Sequence, residues 1–154
     1  MHREYHKWYS PNLGKDMELL LFGTSGRPVL AFPTSMGRFY QNEDFSLITT
    51  LSDRFDAGNL QMVCVDSVDS ESWYNRGASP ADRAHRHDQY EQYLIQEVLP
   101  FLRDRTPRVD SDLNVTGASF GAYHSITLPF RHPTTRRRHL ALAGPDSLHC
   151  RTNT

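Results

Sequence analysis

Residues 113–124, Leu-Asn-Val-Thr-Gly-Ala-Ser-Phe-Gly-Ala-Tyr-His, leave this chain few ways to fold. The run Leu113 to Thr116 reads as a buried strand, and it enters Gly117-Ala118-Ser119-Phe120-Gly121, a G-x-S-x-G pattern. Directly after a strand, that pattern describes a sharp strand-to-helix turn that lifts a serine hydroxyl above the sheet edge. The serine backbone is strained in such a turn. Side chains two residues to either side would collide, so hydrogen is the tolerated substituent at both flanks. The N–H of Phe120 would open the helix, aimed at negative charge developing beside the serine. An ordinary glycine-rich loop has the same five letters, and the order of the surrounding elements decides between the two readings.

That order is informative. Residues 3–13 alternate aromatic and polar side chains (Tyr5, Trp8, Tyr9) up to a turn signal at Pro11-Asn12-Leu13-Gly14, and predict an edge strand. A second strand spans 17–23. Thr24-Ser25-Gly26-Arg27 has hairpin-turn chemistry, and 28–33 is a third, strongly apolar strand. Positions 45, 48, 51 and 55 place apolar side chains on one face of a helix over 45–55, and Met62 to Asp66 reads as a short strand covered on both faces. Ser79 as N-cap, Pro80 at the first helical position and Asp82 three residues after the cap open a helix running to about Arg105. Tyr90, Tyr93, Leu94, Glu97, Val98, Phe101 and Leu102 mark its inner face, and Pro100 predicts a kink or an early end. After the turn at Ser119 come a helix, which Pro129 is expected to interrupt, and a short strand at 139–144. The sequence β-β-β-α-β-α-β-α-β implies one domain over 1–154, a three-layer α/β/α sandwich with a mostly parallel sheet.

Bulk properties exclude several function classes. A formal net charge of -1 over 154 residues and a pI near 6.7 give no global field for nucleic acid or a membrane surface. No apolar run approaches the roughly 20 residues of a membrane span. The first residues, Met1-His2-Arg3-Glu4-Tyr5-His6-Lys7, lack the apolar core of a secretory signal, and Cys64 and Cys150 are too few for a disulfide scaffold, so a cytoplasmic location is expected.

With the turn and the element order together, the chain resembles the α/β-hydrolase superfamily and, within it, the esterase group that includes esterase D-like proteins. The likeness covers roughly residues 3–145. It rests on the Gly117–Gly121 elbow, on the loop Phe32-Pro33-Thr34-Ser35-Met36-Gly37 after the third strand, and on Arg131-His132-Pro133 followed by Leu140-Ala141-Leu142-Ala143-Gly144. The resemblance implies acyl transfer on a small-molecule ester. Ser119 is the nucleophile, and the oxyanion is held by the N–H of Phe120 and by one residue among Thr34, Ser35 and Met36, with Ser35 and Met36 foremost. No metal or organic cofactor is implied.

The superfamily's remaining pattern is harder to place. It runs serine, then acid, then histidine on later loops. Downstream of Ser119 stand His124, His132, His139 and His149, with Asp146 the only acid. His124 lies on the elbow helix and points away from its mouth. Asp146 and His149 have the right order but sit three residues apart, too close for two separate loops. The chain therefore reads as a hydrolase fold incomplete at its C-terminus, truncated or frame-altered after the elbow.

Other clusters carry bland readings. His85 and His87, at i and i+2, point to different helix faces and do not converge on one metal, so a solvated face is expected. Arg136-Arg137-Arg138 reads as a surface patch. Asp66 and Asp69, at a strand's C-terminal end, lie where open α/β sheets place ligands; Asp66 is a pocket candidate, although loop acids are usually solvated. Trp73 and Tyr74 read as packing, and Cys64 as a small buried hydrophobe. Two other functions compete with catalysis: a scaffold that only binds a ligand or partner, and a homodimer formed through an open apolar edge at 139–143.

Overall fold

In the computed structural model, which describes residues 1–106, 109–133 and 137–142, the apolar runs form β1 (Arg3–Ser10), β2 (Lys15–Phe22), β3 (Arg27–Phe32), β4 (Leu60–Val65), β5 (Leu113–Ala118) and β6 (Arg137–Leu142). They build one six-stranded sheet in the order β1-β2-β4-β3-β5-β6. β1 and β2 are antiparallel, as are β2 and β4, whereas β4, β3, β5 and β6 run parallel. In register, Ala31 lies opposite both Cys64 and Thr116, and Phe32 lies opposite Gly117. The loops that leave β3, β4 and β5 therefore emerge side by side at one end of the sheet.

Alternation along the strands sends side chains to two faces. Leu19, Leu21, Leu30, Phe32, Val63, Val65 and Val115 pack under α4 (Pro80–Tyr93), its continuation through a π-helical stretch (Leu94–Val98) and α5 (Leu99–Arg103), and under α7 (Phe120–Arg131). On the other face, Leu20, Phe22, Val29, Ala31, Met62 and Cys64 meet Ile48 and Phe55 from α2 (Leu47–Thr50) and α3 (Ser52–Asp56). These make the three layers of an α/β/α sandwich. Burial pushes the Cys64 thiol up to about 12, as suits a small apolar core residue.

Several local expectations give way to tertiary constraints. The turn at 24–27 does not close a hairpin, because β4 lies between β2 and β3. The link instead crosses the start of β4. A Cβ on Gly23 would lie 2.5 Å from the Leu60 carbonyl oxygen, and one on Gly26 2.3 Å from the Asn59 carbonyl carbon. Both glycines have positive φ, 80° and 105°. The helix expected over 45–55 is broken into α2 and α3, preceded by a separate short helix, α1 (Gln41–Asp44). Ser46 adopts φ 61°, which resets the helical register and leaves Phe45 66% exposed while Ile48 and Phe55 are buried. The long helix does not end at Pro100. The chain passes through the π-helical stretch Leu94–Val98 just before the proline and continues as α5. Pro129 sits in the last turn of α7, which runs on to Arg131, so at most one ladder bond is lost.

His87 is the plainest correction. It is buried, not solvated, and its Nε2 lies 3.1 Å from Glu91 Oε1. Glu91 Oε2 also meets His132 Nε2 at 3.0 Å and Arg131 Nη1 at 3.1 Å, so this buried carboxylate ties α4 to the end of α7. Half-buried Glu97 does the same for the edge strand, accepting from Trp8 Nε1 at 2.7 Å, Ser10 Oγ at 2.7 Å and Asn12 Nδ2 at 2.8 Å. α6 (Val109–Asp112) leads into β5.

Gly26→Ala should destabilise the fold by about 2–3 kcal/mol, because the backbone it meets cannot withdraw; urea unfolding with an unchanged m-value checks this. For Glu91, burial alone would raise the carboxyl, but hydrogen bonds from His87 and His132 and the Arg131 charge hold it below its ordinary range. The stability it contributes is fully present above pH 4.5, the ordinary glutamate value, and is lost as pH falls through the lower folded-state value. Glu91→Gln should therefore flatten the acid limb of stability against pH; an unchanged limb refutes the assignment.

Candidate functional site

Ser119 stands at the junction of β5 and α7 with φ 55° and ψ −123°, a conformation sparsely allowed for a residue bearing a Cβ. Its side chain is exposed, and its hydroxyl bonds to none of the described residues. The turn is enforced from both flanks. A Cβ on Gly117 would lie 2.3 Å from the carbonyl group of Gly121, and a Cβ on Gly121 would lie 2.5 Å from the Pro33 oxygen and 3.1 Å from the Phe32 oxygen. The first turn of α7 is thus seated directly on the end of β3.

That contact brings the loop after β3 to the serine. Of its three candidate donors, Thr34 gives its N–H to Gln41 Oε1 at 2.6 Å, and Met36 gives its N–H to Asp69 Oδ2 at 3.1 Å. Met36, expected to share the oxyanion role, therefore has its amide committed. The Ser35 N–H donates to none of the described residues, and neither does the N–H of Phe120 at the head of α7. Ser35 Oγ accepts from Tyr74 Oη at 2.9 Å, and the Tyr74 ring meets Phe120 edge-on with centroids 5.3 Å apart. Tyr123 stacks on Phe120 at 5.0 Å. The exposed serine is thus flanked by two uncommitted backbone donors and three aromatic rings.

Behind this mouth lie buried polar groups. Asp69 is 1% and His124 3% exposed, and His124 Nε2 meets Asp69 Oδ1 at 2.9 Å. The His124 ring packs against Phe32, Tyr90, His87 and Phe120. It sits beneath the elbow rather than at its mouth. Asp66 is also buried; Arg38 Nε donates to its two oxygens at 3.0 and 3.1 Å while Arg38 Nη2 reaches Glu18. Burial raises the Asp66 carboxyl above its usual range, against the opposing pull of Arg38. Asp66, Arg38, Met36, Gly37 and Lys15 line a cavity of about 320 Å³ beside the loop.

Asp146, His149 and Arg136 lie outside the described residues, and of Arg137 and Arg138 only the backbone, in β6, is described. Within the described residues, no cluster of three His, Cys, Asp or Glu could hold a metal, and no helix is long and apolar enough to cross a membrane. Sequence reasoning missed the roles of Tyr74 and of the His124–Asp69 pair. The position of Asp69 after a strand end was the available signal. Its partners are 55 and 33 residues away, which no spacing rule reaches.

Solved structures share this architecture. S-formylglutathione hydrolase (FrmB) from Staphylococcus aureus matches with a TM-score of 0.64 and 12% identity, over 88% of this chain and 55% of its own. A CE1 ferulic acid esterase from Anaeromyces mucronatus matches at 0.67 and 12%, over 94% and 59%. The enterobactin esterase FES from Shigella flexneri matches at 0.59 and 18%, over 88% and 34%. At these identities the likeness is one of fold, and the chain spans little more than half the length of the first two. No curated protein matches the chain. A family model, described as "Putative esterase", matches residues 35–148, from the loop after β3 through the elbow and beyond. An α/β-hydrolase sheet, a strained serine at its elbow and that match over most of the length agree: the chain belongs to this esterase family.

Proposed function

We propose that the chain carries the nucleophile and oxyanion hole of a serine hydrolase acting on carboxylic esters. The observation that supports it most is the exposed Ser119 held at φ 55° near the N–H groups of Ser35 and Phe120, neither of which donates to a described residue. In the reaction a base removes the Ser119 hydroxyl proton as Oγ bonds to the ester carbonyl carbon, and the carbonyl π electrons move to oxygen. The two N–H groups stabilise that oxyanion. Collapse breaks the C–O bond to the leaving alcohol, which takes the proton from the base; water then repeats the sequence and frees the acid. The rings of Tyr74, Phe120 and Tyr123 would flank the acyl group.

Each described histidine near the elbow already has a carboxylate partner. His124 Nε2 is held by Asp69, and His87 and His132 lie on Glu91. Asp146 and His149 follow Ser119 in the family's order but, three residues apart, do not easily fill both positions. A scaffold that binds without turnover is the competing reading, favoured by the same distribution of histidines.

Treatment of the whole chain with a fluorophosphonate should add one adduct per molecule by intact mass, and Ser119→Ala should abolish it. Ser35→Pro, which removes the loop's free donor, should slow labelling by about 10²–10³-fold, the usual worth of one oxyanion donor. A folded chain that takes no label argues for the binding scaffold.

A further inference from the structure

We propose that the buried His124–Asp69 pair is a positioning device that sets the oxyanion loop against the elbow. The idea rests on the esterase reading above and identifies what holds that site's second donor in place. One carboxylate joins three segments. Asp69, in the loop after β4, meets His124 of α7 with Oδ1 at 2.9 Å and accepts the Met36 N–H, from the loop after β3, on Oδ2 at 3.1 Å. A carboxylate 1% exposed needs both oxygens satisfied, so neither contact is dispensable to the other.

The loop needs such a tether. Gly37 N–H closes a turn onto the Thr34 carbonyl at 2.9 Å, which puts Ser35 second and Met36 third in that turn. Met36 has φ 54°, at a position where turns of this hand take glycine or asparagine. Its side chain is 53% exposed and supplies little packing to hold the strain. The bond from its N–H to Asp69 holds it instead, while the preceding amide, that of Ser35, donates to none of the described residues. His124 completes the link. Its ring also meets Phe120 at 5.0 Å, so the pair touches the residues on both sides of the proposed oxyanion hole.

Amide hydrogen exchange by NMR on the full chain tests this without requiring turnover. In the wild type the Met36 amide should exchange about tenfold or more slowly than that of Ser35, the factor expected of a hydrogen bond to a charged acceptor. Asp69→Leu should remove that protection while the amides of Leu20 and Val63 keep theirs. Asp69→Asn, which retains an acceptor oxygen, should restore most of it. His124→Phe, which keeps the ring but not the N–H, should raise Met36 exchange in the same direction. If Asp69→Leu does not fold, the wild-type ratio and His124→Phe decide. Equal exchange of Met36 and Ser35, or Met36 protection indifferent to Asp69→Leu in a folded chain, overturns the proposal. Fluorophosphonate labelling of the same samples separates the two ideas. An unlabelled wild type whose Met36 protection depends on Asp69 sinks the esterase reading and leaves the positioning role standing. A labelled wild type with Met36 indifferent to Asp69 does the reverse.

Discussion

The close approach of the first turn of α7 to the end of β3 is the contact on which the site depends. Hydrogen at Gly121 lets the helix rest on the carbonyls of Phe32 and Pro33, and hydrogen at Gly117 lets the strand fold back onto Gly121. No larger residue fits at either place without moving backbone. Because β3 lies between β4 and β5, that one seat fixes Ser119 relative to the loops leaving all three strands. The strain in Ser119 is the consequence, and it persists because the surroundings admit no alternative.

Around this seat three buried carboxylates are paired with basic groups and join elements distant in sequence. Asp69 with His124 links two loops to α7, Glu91 with His87 and His132 links α4 to the end of α7, and Asp66 with Arg38 links the loops after β4 and β3. Such pairs contribute less to net stability than their geometry suggests, since desolvation offsets much of the attraction. Their effect is on placement. Breaking one leaves a charge without a partner, so alternative packings of these loops are penalised.

What could be read from the sequence follows the range of the forces involved. The elbow and the N-cap at Ser79 are local, and each appears where its residues predict it. The insertion of β4 between β2 and β3 is not local. Thr24-Ser25-Gly26-Arg27 has the composition of a hairpin turn, but its glycines serve a crossing over Asn59 and Leu60. His87 was legible only as half of an unhelpful i, i+2 pair. Its burial depends on Trp73, Tyr123 and His124 closing over it from two other segments. The role of Asp69 was hidden for the same reason. A lone acid after a strand carries no mark of the histidine it will meet.

Among the described residues, three non-glycine positions have positive φ: Met36, Ser46 and Ser119. Two of the three bound the site, and they are held there by different physics. Ser119 is locked sterically, by backbone atoms that no side-chain motion relieves. Met36 is held by a hydrogen bond to a buried carboxylate, whose strength depends on the partner that carboxylate keeps. The serine side of the site is therefore rigid by construction, whereas the loop side is as firm as the Asp69–His124 contact makes it. A site built this way confines its adaptability to the loop after β3, the element that faces the serine across the elbow.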